Sequence, residues 1–225
     1  MSRPSLTHDL RSMFGDVRDQ GVRPTCLAFA VSDCHAAVRD GWTPLSAEFV
    51  FYHAQRRAGL PPSEGSSLLH TLEAIRDDGQ PPETSWPYLG DLPADLNHWG
   101  PPAVATKYFR NFDRSPGSFD EILANLMRGS PTVMVLYIGE AFYSPDGQGV
   151  VVSYPGEKDV IRHAVIAVGA GTIGGRRALL LRNSWGRLWG LDGHAWVTED
   201  YIIQRLRRIA VLKEEVGVSA HQNAA

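Results

Sequence analysis

Cys26 follows Thr25 at the head of a segment whose apolar residues recur at helical spacing (Leu27, Phe29, Ala30, Cys34, Ala37, Val38), with Gly41 as the stop signal. A cysteine at a helix start lies among unpaired backbone N–H groups and at the positive end of the dipole, which favours thiolate over thiol. Position alone therefore makes Cys26 a reactive thiol, although a lone free cysteine is more often a small buried hydrophobe. Cys34 is the only other cysteine. A spacing of eight on one helix separates the two Cα atoms by about 12 Å, too far for a disulfide, so both thiols are expected to be free. A thiol nucleophile needs a base that titrates near working pH, which is histidine chemistry. His163 opens the apolar run Ala164-Val165-Ile166-Ala167-Val168-Gly169, where a histidine taken singly is more often a satisfied core residue. Gln20, six residues before Cys26, taken by itself reads as a solvated loop glutamine.

These residues fall on two kinds of element. Up to about Ala103 the chain reads as helices. One starts at Cys26, a second is capped by Ser46 and ends near Gly59, and a third spans Ser67 to Arg76. An irregular, proline-rich loop then covers Trp86 to Pro102. Beyond it, Ser118-Phe-Asp-Glu121 is a capping-box pattern for a short helix to Met127. Strands are expected at Thr132 to Ile138, Val160 to Gly169, Ala178 to Asn183 and His194 to Thr198. The polar end from Glu214 to Ala225 reads as a frayed tail. The expectation is an α+β protein, one catalytic domain over residues 1–225. Its helical lobe covers about residues 16–103, its β-rich lobe about 104–213, and a flexible tail 214–225. A ligand cleft is expected where two such halves meet.

Three separated motifs then make a specific resemblance. Gln20-Gly21-Val22-Arg23-Pro24-Thr25-Cys26, Arg162-His163-Ala164-Val165 and Asn183-Ser184-Trp185-Gly186-Arg187-Leu188-Trp189-Gly190 are similar, in order and content, to the nucleophile, histidine and asparagine segments of papain-like cysteine peptidases. Leu45-Ser46-Ala47-Glu48 and the Glu83-Thr-Ser-Trp-Pro-Tyr88 turn agree, so the match runs from about Asp16 to Val197. The resemblance implies a papain-like two-lobed fold and a Cys26–His163–Asn183 triad forming a thioester acyl-enzyme. It also implies an oxyanion hole from Gln20 and the Cys26 N–H. Trp185 would shield the Asn183–His163 bond from water and Trp189 would line the primed side of the cleft. Gly65 and Ser66 would pair with an extended substrate backbone, and Leu68, Val135, Ile161 and Ala164 would form an apolar specificity pocket.

Departures from the family pattern carry their own expectations. Arg23 and Pro24 stand where secreted relatives have a disulfide cysteine and a glycine, and Leu27 replaces the usual Trp. A cation at Arg162 is expected to lower the pKa of the neighbouring imidazole. Only fifteen residues precede Asp16, fewer than the relatives' inhibitory propeptide, so the expectation is either a trimmed chain or restraint by narrow specificity, a dedicated substrate, or an inhibitory or gating partner. Charged residues make up 21% and the net charge is -3, which gives no reason to expect a nucleic-acid partner. The chain has no signal-peptide core or membrane-length apolar run, and with two cysteines it has no disulfide framework, which reads as cytoplasmic. No metal-ligand spacing is present and no cofactor is implied. The expected partner is a peptide or protein substrate. The competing readings are a transpeptidase or amide ligase using the same site, and a catalytically silent peptide-binding homologue.

Overall fold

The computed structural model describes residues 3–39 and 41–220, with side chains described to residue 217. By internal contacts the chain forms two compact units. The first takes residues up to Asp19 together with Asp113–Val211, and the second takes Gln20–Phe112 and the chain from Leu212 onward.

The second unit is helical. Its centre is α1 (Cys26–Ala37), in which every residue from Leu27 to Ala37 is buried, so the helix is apolar on all sides rather than along one stripe. Ser46 caps α2 (Ala47–Ala58) by accepting the Phe49 N–H at 3.1 Å, and Gly59 closes that helix in the left-handed region at φ 64°. Ser67 caps α3 (Leu68–Glu73), which widens into a π turn over Ala74–Asp78. The expected helix from Ser67 to Arg76 is therefore present, with a loosened last turn. Gln80, fully buried, ties these elements together. Its Nε2 donates to Ser32 Oγ on α1 at 2.5 Å and to the Ser46 carbonyl at 2.9 Å, while its Oε1 faces His35 Nδ1 at 2.9 Å.

The first unit is built on a sheet. β3 (Thr132–Ile138), β4 (Ile161–Ile173), β5 (Arg176–Arg182) and β6 (His194–Thr198) form successive antiparallel pairs. β1 (Ser5–Asp9) adds to β4. That pairing explains the glycines of β4, because a Cβ on Gly171 would lie 1.9 Å from the Ser5 carbonyl oxygen and one on Gly169 would lie 2.8 Å from that of His8. The core of this unit joins Phe119, Ile122 and Leu126 of α4 (Phe119–Met127) to Met134, Leu136, Val165, Leu179 and Val197 of the sheet. It also takes in Tyr201 and Ile202 of α5 (Glu199–Arg205). Among these elements β1 and α5 were not expected from the sequence.

Nor were β2 (Thr106–Ser115) and β7 (Leu206–Ala220), which extend the strand order to β2-β7-β3-β4-β5-β6. Where the sequence suggests fraying from Glu214, β7 continues to Ala220. In the second unit its far stretch is fastened by Arg110 Nη1 on the Lys213 carbonyl at 2.6 Å and by Asn111 Nδ2 on Glu214 Oε1 at 2.9 Å. Residues 221–225 of the expected tail lie outside the described residues. No helix among the described residues is long and apolar enough to cross a membrane.

Candidate active site

In the first unit, β4 carries His163 at a buried position in register with Leu136 of β3. Asn183 follows the end of β5, and its backbone N–H donates to the Gly193 carbonyl at 3.0 Å. The two side chains meet with His163 Nε2 2.7 Å from Asn183 Oδ1. The same Oδ1 accepts the Ser184 backbone N–H at 2.8 Å, which identifies that atom as the carboxamide oxygen. A carbonyl oxygen only accepts, so His163 Nε2 carries the proton and, in the neutral ring, Nδ1 holds the basic lone pair. Trp185 covers the imidazole, its ring centroid 4.6 Å away, and is itself stacked by Tyr143 at 5.2 Å. Phe142, fully buried, contacts both His163 and Trp185. Burial is the main cause that pushes His163 down to about 4, partly offset by the hydrogen bond to Asn183. Arg162, exposed beside it, is not among the causes, so the expected effect of that cation gives way to desolvation.

The loop bearing Asn183 and Trp185 is fixed by the start of the chain. Arg182 donates to the carbonyls of Gly15 at 3.0 Å and Asp16 at 2.6 Å. Gly186 N–H donates to the Arg18 carbonyl at 3.1 Å, and Asp19 bridges Trp185. These fastenings hold the loop from which Trp185 lies over the histidine. Trp189 differs from its expected place lining a cleft. It is 6% exposed, in the core behind Trp185, and its indole N–H is committed to the Phe142 carbonyl at 2.9 Å. It supports Trp185 and does not offer a surface.

In the second unit, Cys26 is partly exposed as the first residue of α1, and Cys34 is buried within the same helix. Thr25 precedes the helix without capping it. Its hydroxyl instead lies 3.0 Å from Tyr88 Oη, so the positive end of the dipole at Cys26 is not quenched by that side chain. Gln20 is 6% exposed, and its Nε2 donates to the Arg23 carbonyl at 2.8 Å. Gly65 lies in the same unit, where a Cβ built on it would be 3.9 Å from the Pro24 carbonyl oxygen. Ser66 donates to Gln55 Oε1 at 3.0 Å, and Gln55 Nε2 donates to the carbonyls of Pro61 and Glu64, which stiffens the loop carrying both.

The four expected pocket residues divide between the units. Leu68 opens α3 in the second, while in the first Val135 pairs with Ala164 across β3 and β4 and Ile161 starts β4, exposed. No cluster of three or more His, Cys, Asp or Glu side chains suited to a metal occurs among the described residues.

The profile of the papain family cysteine proteases matches residues 7–210. This chain belongs to the papain family. Among its curated relatives, cathepsin R of Mus musculus is 28% identical over 194 residues, covering 82% of this chain and 57% of the relative. The chain spans between 25% and 64% of the length of the first curated relatives it matches. Of solved structures, xylellain, a cysteine protease from Xylella fastidiosa, superposes with a TM-score of 0.73 at 24% identity, over 93% of this chain and 87% of that one. Bromelain from Ananas comosus, solved in complex with the E64 inhibitor, gives 0.68 at 19% identity, over 91% and 97%. At these identities the structures establish the papain-like α+β fold. Beside the family's motif positions, the structure adds Phe142 and Tyr143 around His163 and Trp185, which sequence reasoning did not assign to the site. Phe142 and Tyr143 lie on a single 3-10 turn, Glu140–Tyr143, too short to show periodicity.

Proposed function

We propose that this chain is a thiol peptidase that hydrolyses peptide bonds through a thioester acyl-enzyme. Cys26 supplies the nucleophile, His163 the base and Asn183 the orienting amide, while Gln20 and the Cys26 N–H receive the oxyanion. The observation that carries the reading is the fixed carboxamide: with Asn183 Oδ1 identified by the Ser184 N–H, His163 is held in the tautomer that leaves Nδ1 basic.

The cycle is balanced with these groups alone. The Cys26 thiolate attacks the carbonyl carbon, whose π electrons move to oxygen to give an oxyanion. As the carbonyl re-forms, the C–N bond breaks and the proton on His163 Nδ1 passes to the leaving amine. Water then attacks the thioester, giving one proton to Nδ1. The C–S bond breaks and thiolate with imidazolium is restored. Burial, partly offset by the Asn183 hydrogen bond, holds His163 near 4, so a resting imidazolium requires a compensating anion, the part this reading gives to the Cys26 thiolate. The substrate class is an extended peptide or unfolded protein segment. Its backbone pairs at Gly65 and Ser66, and it carries an aliphatic or aromatic side chain two positions before the scissile bond.

An unbiased peptide library, followed by mass spectrometry, tests this reading. Cleavage after extended segments with an apolar residue at that position is expected, abolished in Cys26→Ala and retained in Cys34→Ala. An epoxide directed at thiol peptidases should add once, at Cys26. No cleavage and no adduct from about pH 5 to about pH 8, across the range where histidine titrates, would contradict the proposal.

A further inference from the structure

The segment from Gln20 to Thr25 is clamped by three side chains from outside it or within it, and two of them form an ion pair almost wholly out of water. Arg23 is 6% exposed and Glu48, in the first turn of α2, is 0% exposed. Arg23 Nη1 and Nη2 donate to the two Glu48 oxygens at 2.6 and 3.0 Å, and Nη1 also reaches the Leu89 carbonyl at 2.5 Å. The Leu89 N–H at 3.1 Å and the Trp99 indole N–H at 2.7 Å complete the shell around the carboxylate. The guanidinium lies over the rings of Phe51 and Tyr88, at 5.3 and 5.1 Å. Tyr88 reaches the same segment at both ends, donating to the Gln20 carbonyl at 2.7 Å and lying 3.0 Å from Thr25 Oγ1. The Arg23 carbonyl in turn accepts Gln20 Nε2 at 2.8 Å and the Thr25 N–H at 2.8 Å.

A buried pair of this kind is a poor source of stability, since desolvation consumes most of the attraction and apolar residues often serve as well. What a planar, bidentate fork does provide is a fixed place and orientation for the backbone that bears it. Here that backbone carries the carbonyl on which the Gln20 carboxamide rests, three residues before Cys26. We propose that Arg23, Glu48 and Tyr88 are positioning residues: they hold the Gln20–Cys26 segment in the one turn that aims the Gln20 amide and the Cys26 N–H at a single oxyanion. This inference rests on the peptidase reading above. It deepens that reading by assigning oxyanion geometry to an ion pair that touches no reacting atom.

Two variants and two reactions test it. Hydrolysis passes through an oxyanion, whereas alkylation of Cys26 by iodoacetamide, a displacement at carbon, does not. Arg23→Lys keeps the charge beside Glu48 but loses the fork, and Tyr88→Phe removes one hydroxyl while keeping both buried charges and the ring beneath the guanidinium. Each should lower kcat for a peptide substrate about tenfold at unchanged KM, as small misplacements of reacting groups do. The iodoacetamide rate and the near-ultraviolet circular dichroism should stay at wild-type values. A folded variant of either kind with wild-type kcat overturns the inference, and so does a parallel loss of alkylation and hydrolysis, which would mean general damage to the thiol site. If wild-type protein itself hydrolyses nothing, the peptidase reading has failed and takes this inference with it.

Discussion

An asparagine beside a histidine orients it only if the carboxamide oxygen, and not its nitrogen, faces the ring. Ser184 decides this by donating its backbone N–H to the same oxygen that His163 approaches. Asn183→Ala removes the acceptor and frees the imidazole to turn. The expected result is a loss of about 10²-fold in kcat/KM with little change in melting temperature, measured by steady-state kinetics alongside calorimetry. Arg162→Ala, by contrast, should leave the pH–rate profile unchanged, because burial and Asn183 govern His163 while Arg162 stands in solvent. At this scale the sequence offered motifs: Gln20, Cys26, His163 and Asn183 each stand in a run of several residue types, and of these the structure sets His163 against Asn183. Trp189 misled because a motif tryptophan looks the same in sequence whether it meets a ligand or the Phe142 carbonyl.

Elements were legible where their cause is local. Ser46 and Ser118 cap helices at the positions their spacing suggests, since the bond to the third residue onward needs nothing distant, and Ser67, read as a first helical residue, is such a cap too. β1, β2, α5 and β7 went unread for the opposite reason. The polar Ser5–Asp9 becomes a strand only because β4 offers glycines beside it, α5 is seven residues long, and the charged β7 depends on remote partners. Gly171→Ala should therefore shift or detach β1, seen as faster hydrogen exchange of Ser5–Asp9 with β3 unaffected.

Helix α1 adds a pH prediction. His35 Nδ1 faces Gln80 Oε1, and its buried Nε2 has no hydrogen-bond partner among the described residues. Burial pushes this histidine down to about 3, with Gln80 acting against that and Arg110 and Arg39 adding to it. Its folded pKa lies below the unfolded one, so the unfolded chain binds the proton more readily. The contribution is whole above about pH 6.5 and is lost as pH falls toward 3, on the order of 5 kcal/mol. Denaturant titrations across that window should show a shallower acid decline in His35→Gln than in wild type, while equal declines would contradict the assignment.

For the whole molecule, the resemblance to the papain family carried the order of motifs and the α+β class but not the way the chain is shared between units. Residues up to Asp19 belong with the sheet because Arg182, β4 and Trp185 hold them, and residues beyond Leu212 belong with the helices because Arg110 and Asn111 do. Truncation after Val211 leaves Arg110, 7% exposed, without the Lys213 carbonyl or Glu215. The expected cost is about 1–3 kcal/mol, read as a lower melting temperature.

The proposed pairing of the Cys26 thiolate with the His163 imidazolium is tested most directly by the titration of the His163 ring in NMR. In Cys26→Ala, burial and Asn183 alone should leave His163 titrating near 4. In the wild-type protein the thiolate should carry it above its ordinary value of about 6.5. The same pKa in both proteins would contradict the central claim.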